Sequence, residues 1–271
     1  MRVLVLVLAA ALAACSSTTF AQPRVLVSPY LAVYQLRGKV GVQSQPTPGG
    51  PLQDNPAQSM VTFGQDHHRE DVGVRADIGD GFAGVRFDYY KLDMGTSKTG
   101  VLTADWGRLR AGDTVRMEAE MDELRIGYLE SLGTLRASFR GEPLTFRFAG
   151  GGVFAYRDMT LRARTDDGAR TQNVGITGDV IYLATRFRAS WRDVAFDAEY
   201  AISPDLVLGG DFQDVLQDVE LRASYTLQQH DISFFGGWRW STLKASGSTD
   251  GFGYDADLKI DGFQFGVSLS F

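Results

Sequence analysis

The sequence holds one cysteine, Cys15, so no disulfide can form within the chain. It holds 3 histidines in 271 residues, little material for imidazole metal sites. Positive charge does not predominate: the formal net charge is −6, which excludes the broad basic field of a nucleic-acid binder. No apolar run after the N-terminal Val3–Ala14 is long enough for a membrane helix. There is no Gly-x-Ser-x-Gly elbow, and the Gly150-Gly151-Gly152 run has no Lys-Ser/Thr behind it. Serine hydrolases of the elbow type and P-loop proteins are therefore excluded.

What the chain has instead is alternation. Phe263, Phe265, Val267, Leu269 and Phe271 fall on one face of a strand and Gln264, Gly266, Ser268 and Ser270 on the other. Val219 to Leu227, Ile232 to Trp240, Val194 to Ile202, Ile181 to Ala189, Val72 to Ile78 and Ala83 to Tyr89 repeat the pattern, with turn-like residues between. Two strands change phase. Val115 to Met121 gives way to Leu124, Ile126 and Tyr128 after Asp122-Glu123. Phe154 and Tyr156 give way to Met159 and Leu161 near Arg157-Asp158. A bulge at each change is expected. With Val27–Arg37 first and Ala256–Phe271 last, the count is about ten strands, with eight or twelve as alternatives. Such strands suit an antiparallel up-and-down barrel whose average hydropathy stays low, here −0.12, because half of each strand is polar.

The terminal strand resembles the C-terminal signature of bacterial outer-membrane β-barrels, a final Phe preceded by apolar residues at every second position. The general look resembles small barrels of the OmpA-membrane-domain and OmpW-like kind, with no residue-level match to either. The resemblance implies a single transmembrane barrel over 22–271, with lipids and lipopolysaccharide as surroundings. It also implies recognition by the barrel-assembly machinery through Phe263, Phe265, Val267, Leu269 and Phe271, no nucleic acid, no cofactor, and a monomer. Residues 1–21 read as a signal peptide, with Arg2 ahead of an apolar stretch and Ala21 at the cleavage point. Leu12-Ala13-Ala14-Cys15 leaves a lipoprotein signal over 1–14 open. An even strand number puts both termini in the periplasm. The long connections Gly38–Arg69, Gly95–Asp113, Thr165–Gly178, Ser203–Asp214 and Ala245–Asp255 then lie outside. Ser131–Pro143 would be an unusually long periplasmic turn. Trp106, Trp191, Trp238 and Trp240 are expected in an interfacial girdle.

Two faces per strand do not say which is inside, and a soluble barrel would reverse them. In the membrane orientation the lumen is lined by Arg75, Asp77, Arg86, Asp88, Arg116, Glu118, Glu120, Asp122, Arg147, Arg186, Arg188, Asp197, Glu199, Glu220, Arg222 and Arg239. In so narrow a barrel opposite charges should pair, forming a plug or, alternatively, a gated path for small solutes. An outer-membrane hydrolase is the third class. Its best constellation is Asp66-His67-His68-Arg69-Glu70-Asp71, with Asp105, Asp113 or Asp211 as partners from other loops. His230 beside Asp231 reads as a turn residue. No motif identifies a catalytic, cofactor or metal residue.

Overall fold

A computed structural model describes residues 24–65, 67–95, 98–204, 207–227 and 231–271. Residues 1–23, which include the expected leader and Cys15, and also Asp66, Gln228, Gln229 and His230, lie outside the described residues. Ten antiparallel strands close into a ring. They are β1 (Arg24–Val42), β2 (Arg69–Gly79), β3 (Gly84–Asp93), β4 (Thr114–Phe139), β5 (Glu142–Thr165), β6 (Thr171–Trp191), β7 (Val194–Ser203), β8 (Leu216–Leu227), β9 (Ile232–Thr249) and β10 (Phe252–Ser270). Each pairs with its chain neighbours, and β10 pairs with β1 to close the ring. Both described ends of the chain meet at one rim, where Phe271 N–H donates to Val25 C=O at 2.9 Å. That rim carries the short turns; the other carries the longer connections.

The wall is taller than a bilayer along part of the ring, while β2, β3 and β7 keep 10 or 11 residues. β4 has 26 residues and β5 has 24, against roughly 9–11 for a tilted strand crossing the hydrocarbon. Its outer face is divided accordingly. Near the turn rim, Phe263, Phe265 and Leu269 on β10 point outward, with Phe263 and Phe265 each 52% exposed. Val72 and Val74 on β2, Leu183 on β6, Phe196 on β7, Leu221 and Tyr225 on β8 and Phe234 on β9 continue this belt around the ring. A continuous apolar girdle of this kind is stable against lipid and not against water. The barrel is thus of the transmembrane type, which settles the facing that alternation alone left open.

Beyond the belt the polarity inverts without any slip in register. On β10, Tyr254, Ala256, Leu258 and Ile260 are buried inside, and Asp255, Asp257, Lys259 and Asp261 stand outside. On β4, Val115, Met117, Ala119 and Met121 face in, followed by Glu123 and Arg125 on the same side. The expected bulges at Asp122-Glu123 and Arg157-Asp158 are therefore absent: Met121 pairs with Met159, Asp122 with Asp158 and Glu123 with Arg157 in unbroken order. The phase change marks a change of surroundings instead. Above the belt the wall meets water outside and must bury apolar groups inside; within the belt it meets lipid and the polar face turns inward.

Other expectations are corrected too. Arg116, Glu118, Glu120 and Asp122 alternate with the buried interior positions and so face outward above the belt. Trp106 is not in the girdle but wholly buried in the upper core, where its indole N–H donates to Val40 C=O at 3.0 Å. The Ser131–Pro143 turn shrinks to Arg140-Gly141, both at positive φ, as a two-residue hairpin requires. The one irregularity in this hairpin lies between Ser131 and Gly133. Strands likewise run through most of Thr165–Gly178 and Ala245–Asp255, the latter turning on Asp250-Gly251. Gly151 permits the β4–β5 contact, since a Cβ there would stand 2.0 Å from Tyr128 C=O.

The two zones predict a fluorescence difference. In bilayers with brominated acyl chains, a variant retaining only Trp238 should be strongly quenched and one retaining only Trp106 should not. Equal quenching would refute the assignment of the upper wall to water.

Candidate functional site

The interior is the candidate site, and it is layered. Uppermost in the membrane zone, Glu123 is fully buried and accepts from Arg157 Nε and from Arg239, which lies on the strand opposite in the ring. Asp218 accepts from Arg239 at 2.8 Å and from Arg125 at 3.1 Å. In the next layer Arg75 reaches across from β2 to hold both oxygens of Glu220 on β8, at 2.7 and 2.8 Å. It also holds Asp88 at 2.8 Å, whose other oxygen accepts from Tyr30 Oη at 2.8 Å. Below, Arg86 bridges Asp77 at 2.6 Å and Glu199 at 3.1 Å, and Arg186 grips Glu199 at 2.7 Å. Lowest, Arg188 clamps Asp197 at 2.6 Å. Carboxylates accept and guanidiniums donate in planar, often bidentate, geometry, the arrangement that best offsets the desolvation of both. The space left among Arg75, Arg125, Glu199 and Glu220 is about 20 Å³, roughly room for one water.

Two seals flank these layers. Above them, Tyr34, Tyr90 and Tyr182 are buried; Tyr34 and Tyr90 pack edge to face at 5.7 Å. Arg239 lies 5.0 Å from the Tyr90 ring and Arg157 5.7 Å from that of Tyr182, so the aromatic layer joins ions to hydrocarbon through cation–π contacts. The upper core follows, with Leu36, Leu92, Met121, Met159, Leu216, Leu243 and Leu258 all buried. It is capped by the first two loops, where Phe63 packs on Trp106 at 5.0 Å. At the other rim the 80–83 turn folds into the mouth. Phe82 is 2% exposed, with Arg147 at 4.5 Å and Arg188 at 5.3 Å over its ring, and its carbonyl accepts from Arg186 at 2.6 Å.

Asp80 holds that turn, accepting from the Phe82 and Ala83 N–H groups at 2.9 and 2.8 Å and from Arg147. Partial burial works against its ionisation, but the Ala83 N–H, Arg147 and the Phe82 N–H outweigh it and keep the carboxyl below its usual range.

The three aspartates read as partners of the hydrolase constellation each have another partner. Asp105 is tied to Arg110 at 2.9 Å, Asp113 to Arg170 at 2.6 Å, and Asp211 to the Thr177 N–H at 3.0 Å. His67 is half-buried and His68 exposed, and no cluster of three metal-binding side chains exists among the described residues. Of the lumen set read from the sequence, Arg75, Asp77, Arg86, Asp88, Arg186, Arg188, Asp197, Glu199, Glu220, Arg222 and Arg239 form the layers, and Arg147 guards the mouth. Glu123, Arg125, Arg157 and Asp218 were missed. The first and third sit where the phase changes, and the supposed bulges hid them.

No family model matches the chain, and no curated protein does. Among solved structures it is similar to Ail, the attachment invasion locus protein of Yersinia pestis, at 9% identity over 92% of this chain and 99% of that one (TM-score 0.34). It is also similar to the translocator domain of the autotransporter NalP from Neisseria meningitidis, at 13% identity over 97% and 93% (TM-score 0.36). A third is the Pseudomonas putida toluene transporter TodX, at 9% over 91% and 90% (TM-score 0.29).

Replacing Glu123 with Leu removes the carboxylate shared by two buried guanidiniums and should cost about 3–5 kcal/mol in urea unfolding from micelles. Glu118→Gln, which breaks an exposed pair with Arg164, should cost about 0–1 kcal/mol. Equal losses would contradict the layered interior. For Asp80 the linkage has a definite sign: a carboxyl held low contributes stability above its unfolded pKa and loses it as pH falls through the folded value. The urea midpoint difference between wild type and Asp80→Asn should be full at neutral pH and vanish in acid.

Proposed function

We propose that this barrel is an integral protein of the Gram-negative outer membrane, exported by its leader, with a closed lumen and a structural and surface-contact role. The observation that carries this reading is the stacking of three seals along one axis. The 80–83 turn, ion pairs reaching across the ring and a dry apolar core each occupy the lumen. Solute passage would need a continuous wet path, and the upper core offers hydrocarbon where a pore would offer water. The wall above the belt is then a rigid stem raised from the bilayer. Its outer surface mixes Asp122, Asp158, Asp179 and Asp261 with Arg37, Lys39, Lys91 and Lys259, suited to a charged head-group layer such as lipopolysaccharide. The apolar outer face of β10, from Phe263 to Phe271, is the segment we assign to the assembly machinery, and the folded barrel acts as a monomer.

Purified protein in planar bilayers should give no steady, resolvable conductance; regular channels would overturn the closed reading. Orientation is tested separately in whole cells with a membrane-impermeant maleimide. Asp257→Cys should label on intact cells and Ser138→Cys only after lysis. The reverse pattern would invert the topology.

A further inference from the structure

The lowest layer of the lumen is not fully paired. Arg222 faces inward from β8 and is 9% exposed. Its nearest carboxylate oxygen, on Asp197, lies 3.6 Å away and is already held by Arg188 Nη2 at 3.1 Å. Arg222 Nε and Nη1 are buried and have no hydrogen-bond partner among the described residues. Its inward-facing partner on β9 is Gly237, so that strand meets the guanidinium only through the Phe235 ring, 5.1 Å away, which offers no hydrogen-bond acceptor in its plane. A buried guanidinium with unmet donors is unfavourable unless something else accepts from it.

Arg222 borders a cavity of about 210 Å³ behind the turn rim, many times the space that one water needs. The rest of its wall is rich in hydroxyls. Ser28 bonds Ser268 at 2.7 Å, and Thr226 bonds Ser233 at 2.9 Å. Each such pair consumes one O–H donor and leaves the other for a ligand, and Ser224 and Ser270 bring the hydroxyls of the wall to six. The acids that also border the cavity do not neutralise Arg222. Asp77 is bound to Arg86 and Asp80 to Arg147, and the remaining acid of the lining, Asp231, shares it with Arg24. A guanidinium with two unmet donors, sharing one carboxylate with Arg188, thus stands at the inner end of a hydroxyl-lined recess.

We propose that this recess binds a small oxyanion of the phosphate class, with Arg222 as its charged donor and the Ser224 and Thr226 hydroxyls completing the shell. Guanidinium and hydroxyl donors together are the usual protein complement of a tetrahedral oxyanion, whereas a cation would find no free carboxylate at the inner end. The site faces the periplasm if the orientation proposed above holds. Binding in micelles does not depend on that orientation, so its failure would leave the closed-barrel reading standing.

The test is calorimetric titration of the full-length protein in detergent with inorganic phosphate, at ionic strength matched with chloride. Saturable one-site binding is expected, with Arg222→Gln weakening it at least tenfold. Arg188 still holds Asp197 in that variant, so the barrel should keep the heat-modifiable mobility of a folded barrel on gels. Ser224→Val, which retains the charge and narrows the recess, should weaken binding at least threefold and stands in if Arg222→Gln does not fold. Lys244→Gln, at the far rim, should change nothing. No binding of phosphate above the chloride background would overturn the proposal. So would wild-type affinity in Arg222→Gln or, where that variant does not fold, in Ser224→Val.

Discussion

A strand keeps each of its faces on one side of the barrel for its whole length, because side chains alternate and the hydrogen-bond ladder admits no gradual rotation. Everything else here follows from setting that constraint against a wall that passes from lipid into water. Where the exterior is lipid, the apolar set must face out; where it is water, the same set must face in. The chain satisfies both by moving its hydrophobic residues one position along the strand while the ladder runs on. The change falls at Asp122 on β4, at its cross-strand partner Asp158 on β5, and at Asp261 on β10.

The interior inherits the consequence. In the membrane zone the inward face is polar by default, and ten strands enclose too little space to hydrate it. Charges that cannot be solvated must be paired; some pairs join neighbouring strands, as Arg188 does with Asp197, and others reach across the ring. Arg75 to Glu220 and Arg239 to Glu123 are both of this kind. These bridges are weak evidence for net stability, since an apolar filling of equal volume could do as well. They are needed because the outer face leaves no other composition for the inner one. Tyrosine mediates the step to the upper core, with a ring that packs on leucine and a quadrupole that faces arginine.

Much of this was legible in the sequence: the ring of ten, the terminal strand and most of the lumen charges follow from period two alone. The height of the wall was not. Thr165–Gly178 looked like loop because its polar residues alternate with Val174 and Ile176 in the phase opposite to the belt, which a membrane pattern rejects. Asp250-Gly251 was a hairpin signal of the strongest kind, overlooked inside a presumed long loop. Glu123 and Arg157 were misplaced because a phase change has two physical causes, an inserted residue or an altered exterior, and only the partner strand distinguishes them. Trp106 was assigned to the girdle by residue type. Its loop folds back over the barrel mouth, a long-range contact that no local pattern encodes.

The width of the lumen is therefore a property of the wall and not of any one side chain. The circumference of a barrel is set by strand number and register, so it cannot dilate without breaking ladders. An opening would have to come from the side chains. Near the 80–83 turn that is conceivable one contact at a time, since Phe82 is held by arginines that also have other partners. Higher up it is harder, because releasing Glu123 takes one carboxylate from both Arg157 and Arg239 at once, and the core above them is mainly hydrocarbon. A gate at one end would lead only to a recess. The lumen of this protein is better understood as two compartments of different chemistry sharing one wall, the lower lined by paired charges and hydroxyls and the upper by a packed apolar core.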